Sequence, residues 1–96
     1  MSKVKWLPQA IADVERLQVF LLDKDSKAAS QAAYLIFQAV LRLETSPRIG
    51  RPMLDATGRR ELFIPFGAGA YVLRYILEDK DKAIVIRVWH SRESRG

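Results

Sequence analysis

Hydrophobic and polar residues alternate along the last third of the chain in three segments, each of which predicts a β-strand. The segments begin near Arg59, Ala70 and Ala83, and residues 67–69 and 78–81 separate them. Alternation with a period of two is typical of half-buried strands, and glycines or short charged runs between such strands are typical of hairpin turns. The pattern therefore predicts a three-stranded antiparallel meander.

Apolar residues recur at helical spacing in the first half of the chain, which predicts two amphipathic helices. The first begins at Pro8, whose missing N–H costs nothing in a first turn, and runs for about four turns. The second spans residues 27–45, after a break where Asp25 or Ser26 can cap it, and ends before Pro47. The predicted core-facing stripes are Ile11, Val14, Leu17 and Leu21 on the first helix and Ala29, Ala32, Ala33, Ile36, Val40 and Leu43 on the second.

A second apolar line on the predicted second helix is offset from its core-facing stripe. It consists of Tyr34, Phe37 and Leu41. One neighbouring helix does not cover both lines, because they point in different directions around the helix axis. This line therefore belongs either to the core beneath the sheet or to a docking surface.

A short segment ahead of the first helix completes the predicted order. Residues 4–7 alternate with lysines and include Trp6, which predicts a strand at a sheet edge, where lysine discourages unwanted pairing. Residues 48–58 combine glycine and proline with apolar residues and predict an ordered loop. The expected fold class is α+β: one domain over residues 1–96 with an N-terminal strand, a helical hairpin and a three-stranded antiparallel meander (β-α-α-β-β-β).

The alternation also predicts which side chains of the meander face the helices. The two all-apolar sets are Tyr71, Leu73, Tyr75 and Leu77 on one strand and Ile84, Ile86 and Val88 on the next. Arg74, Arg87 and Trp89 then share the opposite face, which we expect to be open. His90 follows where the strand ends and can turn either way.

The charge of the chain favours an anionic partner. Sixteen lysines and arginines stand against eleven aspartates and glutamates, a net charge of +5, and most of the excess lies after Arg48. Such a field favours nucleic acid or an acidic protein, although it is also common among proteins that bind neither.

Composition excludes several classes of site. The chain has no cysteine and one histidine, so it can form neither a disulfide nor a conventional zinc site, and we expect no metal and no cofactor. It lacks the apolar run of a signal peptide and any run of about 20 apolar residues that could span a bilayer. We therefore expect a cytoplasmic protein without a membrane partner.

The cations also have structural explanations that the sequence leaves open. An arginine on an exposed strand position often forms a cross-strand ion pair, and Arg59 and Arg60 precede Glu61 in this way. His90 has no nucleophile or paired carboxylate near it in sequence. A hydrogen-bonded surface histidine is therefore the alternative to a general base at this position.

Several motifs, taken in order, resemble the RelE/ParE superfamily of bacterial toxins, the toxic halves of type II toxin–antitoxin pairs. The resemblance covers almost the whole chain and rests on Trp6, on Pro8-Gln9-Ala10 followed by Asp13, and on residues 46–52, 58–62, 71–75 and 86–92. It implies a helical hairpin packed on a small antiparallel sheet, and a cognate antitoxin as partner.

The resemblance implies one of two activities. RelE-like members cut messenger RNA on the ribosome with basic residues on the open sheet face, two of which correspond here to Val72 and Ser91. A valine can neither offset phosphate charge nor move a proton. The patterns at residues 58–62 and 71–75 are closer to the ParE branch, which is reported to inhibit DNA gyrase without being a nuclease. We therefore expect a ParE-like gyrase inhibitor, with the ribosome-dependent endonuclease as the alternative and a degenerate member kept for antitoxin binding as a third possibility.

The resemblance also implies roles for individual residues. The expected target-binding residues are Arg60, Arg74, Arg87, Trp89, His90 and Arg92. If the protein is a ribonuclease, His90 would carry the proton and Arg74, Arg87 and Arg92 would anchor the phosphate. The line Tyr34, Phe37 and Leu41 is the expected dock for the antitoxin.

Overall fold

The computed structural model describes residues 3–79 and 82–93. Across these residues the elements are β1 (Lys3–Trp6), α1 (Pro8–Leu22), α2 (Ser26–Thr45), β2 (Arg51–Pro52), β3 (Arg59–Phe66), β4 (Gly69–Asp79) and β5 (Lys82–His90). The described strands form one sheet in the order β1-β5-β4-β3-β2. Strands β3, β4 and β5 are an antiparallel meander, and β1 pairs in parallel with β5 at one edge.

The predicted fold class and element order are therefore confirmed, with β2 as an addition inside the predicted loop. The first hairpin turns at residues 67 and 68, since Phe66 pairs with Gly69. The turn residues 80 and 81 of the second predicted hairpin lie outside the described residues. The order follows from local signals: Pro8 opens α1, and the Asp25 carboxylate caps α2 by accepting from the backbone N–H groups of Lys27 and Ala28.

The helical hairpin covers one side of the sheet and forms the core with it. Leu17, Ile36 and Leu43 from the helices pack in one cluster with Leu73 and Tyr75 from β4. Alanines at positions 10, 29, 32 and 39 are almost fully buried, and such small side chains let backbones approach closely.

For two residues of the predicted core-facing stripes, the prediction of burial was wrong. Ile11 on α1 is 49% exposed, and Ala33 on α2 is also exposed. The buried residues of α1 are Ala10, Asp13 and Leu17, so its core-facing side is rotated by about one residue from the prediction. A prediction based on apolar side chains alone misses this rotation because one of the buried residues is an aspartate.

Strand β5 contains a β-bulge that reverses its alternation. Arg74 pairs with Arg87 but the next β4 residue, Tyr75, pairs with Val85, so Ile86 has no partner on β4. The prediction that Ile84 and Ile86 lie under the helices was wrong: both are only half-buried, whereas Val85 is fully buried. An extra residue in one strand shifts every later side chain to the opposite face.

The loop before β2 is held against β4 by Tyr75. The hydroxyl of Tyr75 donates to the carbonyl oxygen of Pro47 at 2.8 Å and accepts from the N–H of Gly50 at 2.8 Å. A Cβ atom at Gly50 would lie 2.5 Å from that hydroxyl oxygen, so only glycine fits. The loop thereby positions β2 at the edge of β3, where Arg51 pairs with Glu61.

Candidate functional site

The helix-free side of the sheet, which we call the open face, carries a charged row beside an apolar row. Side chains of direct register partners emerge on the same side of a sheet, so the rows can be followed from strand to strand. The charged row is Arg51, Glu61, Arg74 and Arg87. The apolar row is Phe63, Val72 and Trp89.

Arg74 lies at the centre of this face and is held on two sides. Its Nε and Nη2 both donate to Oε2 of Glu61, at 3.0 and 2.8 Å. Its Cζ lies 4.8 Å from the ring centroid of Trp89, which is a cation–π contact. Arg51 makes a similar contact with Phe63, at 5.4 Å. Both guanidiniums therefore contact aromatic rings of the apolar row.

Arg87 turns away from Arg74 toward α1. Its Nε donates to Oδ2 of Asp13 at 2.8 Å and its Nη2 donates to Oδ1 at 3.1 Å. Burial raises the pKa of Asp13, but hydrogen bonds from Arg87, the N–H of Val88 and Arg16 outweigh it and hold that pKa below its ordinary value. Arg74 and Arg87 thus emerge on the same face, as predicted, but each guanidinium is paired with a carboxylate.

His90 lies on the other side of the sheet, facing α1. Its register partner is the buried Tyr71, and the two rings meet edge to face with centroids 5.0 Å apart. Its Nδ1 accepts from the N–H of Arg92 at 3.1 Å, which places the proton on Nε2, and Nε2 lies 2.9 Å from the carbonyl oxygen of Phe66. Both ring nitrogens are therefore occupied within the protein.

The remaining predicted target-binding residues are also separated from the open face. Arg60 donates through Nη1 to the carbonyl oxygens of Arg48 and Gly50, at 3.1 and 2.8 Å, and so supports the loop before β2. Arg92 lines a cavity on the helix side of the sheet. Of the six residues, the structure brings Arg74, Arg87 and Trp89 together and places the other three elsewhere.

That cavity, which we call the groove, runs between α1 and the ends of β3, β4 and β5. Its volume is about 600 Å³. It is lined by the apolar side chains Phe20, Phe66 and Tyr71 and by the charged side chains Arg16, Arg92 and Glu93. Arg16 pairs with Glu93 at its rim. The sequence carried a signal for it, since residues 19–22 are apolar in unbroken succession, more than one core-facing stripe requires.

The apolar line on α2 is exposed. Tyr34, Phe37 and Leu41 expose 61%, 59% and 37% of their surface. Neither the sheet nor α1 covers them. Of the two alternatives that the sequence left, core or docking surface, the docking surface therefore remains. Their role toward an antitoxin stays a prediction.

Sequence reasoning missed the two carboxylates that organise the open face. Glu61 was considered only as the partner of its neighbours along β3, whereas it pairs across strands with Arg74. Asp13 stands three residues after the buried Ala10 and four before the buried Leu17, a helical spacing that places it on the core-facing side. Among the described residues, no three acidic or histidine side chains gather as a metal site, and no helix is long and apolar enough to span a membrane.

A helical hairpin packed on a five-stranded sheet is the fold of the RelE/ParE type of toxin. The chain is similar to a chromosomal ParDE toxin–antitoxin system from P. aeruginosa (TM-score 0.71, 16% identity, covering 94% of this chain and 96% of that one). It is also similar to a chain of the intact E. coli RelBE toxin–antitoxin complex (TM-score 0.64, 14% identity, covering 97% and 100%). At these identities the likeness shows the fold.

Sequence comparison gives the family. The model described as the ParE toxin of the type II toxin–antitoxin system parDE matches residues 4–95, and the chain belongs to that family. Two toxins of Caulobacter vibrioides are relatives: RelE1 is 39% identical, covering 91% of this chain and 90% of its own length, and RelE3 is 34% identical, covering 99% and 100%. The predicted superfamily is confirmed, and the protein is a toxin of a type II toxin–antitoxin system.

Proposed function

We propose that this toxin inhibits DNA gyrase by binding it, and that a cognate antitoxin neutralises it in the cytoplasm. The observation that supports binding over cleavage is the separation of His90 from Arg74, the central arginine of the open face. A ribonuclease needs its proton carrier and its phosphate anchors to converge on one phosphodiester. Here the sheet stands between Arg74 on the open face and His90 in the aromatic cluster with Tyr71, and the guanidinium of Arg87 is held by Asp13.

The two positions that carry cations in RelE-like members support the same proposal. Val72 is 4% exposed and fills the apolar row of the open face. Ser91 accepts a hydrogen bond from the N–H of Ala70 through its hydroxyl and so fastens the end of β5 to β4. Both positions contribute packing or strand pairing, and neither supplies charge to a transition state.

The open face has the composition of a protein-binding surface. Guanidiniums already held against aromatic rings lose little freedom on binding, and arginine, tryptophan and tyrosine are the residues that most often dominate binding energy. Arg74, beside its bonds to Glu61, and Arg51, over Phe63, are positioned to donate hydrogen bonds to carboxylates of a partner. The complement that we expect on gyrase is an acidic, partly apolar patch.

A supercoiling assay with purified gyrase tests the proposal. We expect the wild-type toxin to inhibit supercoiling, and Arg74→Ala to raise the concentration needed for half inhibition by about tenfold or more, as for a central arginine of an interface. Arg42→Ala is the matched control, since it removes the same charge from an exposed position on α2, away from the open face. Unchanged supercoiling at a large excess of wild-type toxin would contradict the proposal.

The second candidate is a ribosome-dependent messenger RNA endonuclease, and the RelE names of the two Caulobacter relatives favour it. Toeprinting of a translated message distinguishes the two. New cuts that appear with the wild-type toxin and vanish with His90→Ala would establish the endonuclease, and an intact message would exclude it.

A further inference from the structure

The β-bulge decides which side chains of β5 reach the open face. Val85 points into the core, and with simple alternation Arg87 would point the same way. Because Ile86 is skipped in the pairing with β4, Arg87 and Trp89 emerge on the open face instead, and Val88 is buried. The bulge therefore places Arg87 at the β5 end of the charged row.

Asp13 binds β5 immediately after this bulge. Strand β1 covers the outer edge of β5 only as far as Val85, where the N–H of Leu7 reaches the Val85 carbonyl oxygen. Beyond that point the edge faces α1, and Oδ2 of Asp13 accepts from the N–H of Val88 at 2.9 Å. A buried N–H without a partner is costly, so this bond favours the bulged path of the strand.

The same carboxylate also sets the direction of the Arg87 side chain. Arg87 and Arg74 are direct register partners, and like charges in such positions repel. Glu61 draws Arg74 toward β3, and Asp13 draws Arg87 toward α1. The Arg87 side chain remains 40% exposed, and because its Nε–Nη2 edge is used by Asp13, the opposite edge of the planar guanidinium faces away from that carboxylate.

We propose that Asp13 is the positioning residue of the open face: it holds the backbone after the bulge and the guanidinium of Arg87 with one buried carboxylate, and so presents Arg87 to the target in a fixed orientation. This inference rests on the proposed binding role of the open face. It assigns to α1 a part in target recognition although Asp13 itself is only 4% exposed and does not touch the target. A fixed arginine loses less side-chain freedom on binding than a mobile one.

Two measurements on Asp13→Asn test the proposal. The first uses no target: the Nε–Hε signal of Arg87 in an NMR spectrum of the whole chain is expected to move and to exchange faster with water when the carboxylate is removed. Glu15→Gln, an exposed carboxylate on the same helix, is the matched control and should leave that signal in place. An unchanged Arg87 signal in Asp13→Asn would overturn the proposal.

The second measurement is a double-mutant cycle in the supercoiling assay, with concentrations corrected for the folded fraction of each variant. We expect Arg87→Ala and Asp13→Asn each to raise the half-inhibition concentration by about tenfold, and the double variant by no more than Arg87→Ala alone. If Asp13→Asn lowers inhibition equally in the Arg87→Ala background, its role is structural and the proposal fails.

The cycle also separates this inference from the proposed function. Wild-type toxin without effect on gyrase contradicts the target, and the cycle is then run on growth arrest in cells, which requires no knowledge of the target. If Arg87→Ala has the half-inhibition concentration of the wild type, the result contradicts both the use of Arg87 in binding and its positioning by Asp13. Loss of inhibition with Arg87→Ala but not with folded Asp13→Asn contradicts the positioning alone.

Discussion

At the scale of single residues, Asp13 shows how one buried charge can be stable in a small core. Its carboxylate accepts from two nitrogens of Arg87, from the backbone N–H of Val88 and, more weakly, from Arg16. A buried carboxylate is tolerated when its oxygens are bonded and its charge is compensated, and removing one member leaves the others unpaired. The carboxylate thus fixes the end of β5 to α1.

The ionisation of Asp13 predicts a pH dependence of stability. Its pKa in the folded protein lies below the ordinary value of 3.8, so the charged form favours folding. This contribution is complete above the ordinary pKa and is lost as pH falls through the lowered one. We expect the free energy of unfolding of the wild type to fall between pH 7 and pH values near 3, and to fall less in Asp13→Asn.

Urea denaturation at both pH values measures this effect. At neutral pH we expect Asp13→Asn to be destabilised by about 2 kcal/mol, as for the loss of a buried charge-assisted hydrogen bond. Asp23→Asn, at an exposed position just after α1, is the control and should keep the wild-type pH dependence. If acidification lowers the free energy of unfolding equally in the wild type and in Asp13→Asn, groups other than Asp13 determine the pH dependence and the prediction is wrong.

At the scale of elements, α2 has two apolar sides with different fates. One side, with Ile36 and Leu43, enters the core, while Tyr34 and Phe37 remain more than half exposed. An exposed apolar line on a helix is costly to keep in water and is typical of a binding surface. In a toxin of a type II pair, the antitoxin is the expected occupant.

The exposed line predicts the effect of substitutions on antitoxin binding. We expect Phe37→Asp to weaken the affinity for the cognate antitoxin by about tenfold or more, because it places a charge in an apolar contact, and Tyr34→Ala to weaken it less. Isothermal titration calorimetry measures both. Leu54→Asp makes the same kind of change at a fully exposed leucine between β2 and β3 and should bind like the wild type. If folded Phe37→Asp binds the antitoxin with wild-type affinity, the prediction is wrong and the antitoxin binds another surface, such as the groove.

At the scale of the whole molecule, the net charge of +5 acts over distance, whereas the contacts of single side chains act at short range. Exposed charges raise the rate of encounter with an oppositely charged partner, and salt screens them. A partly buried, ion-paired arginine such as Arg74 is screened less. The two contributions are therefore separable by ionic strength.

Surface plasmon resonance of the toxin on gyrase at two salt concentrations tests this separation. Between about 50 mM and about 300 mM salt we expect the association rate constant to fall by about tenfold and the dissociation rate constant to change much less. Arg74→Ala should act mainly on dissociation, and Arg42→Ala only on association. If salt changes only the dissociation rate constant, the assignment of the net charge to the association step is wrong.

The sequence by itself determined the elements of this protein and their order. Proline at position 8 and the cap at Asp25 mark helix starts, and the alternation along β4 places Leu73 and Tyr75 inward and Arg74 outward, since these signals act between near neighbours. Of the predicted target-binding residues, Arg74 reaches the open face by this alternation, whereas Arg87 and Trp89 reach it because of the bulge at Ile86.

Only the tertiary structure decided what surrounds those residues. The bulge at Ile86, the bond from Arg87 to a carboxylate 74 positions earlier and the inward direction of His90 all depend on α1 lying against the uncovered edge of β5. No local pattern in β5 records that contact, because the hydrogen-bond donor of Val88 and its acceptor on Asp13 belong to opposite ends of the chain.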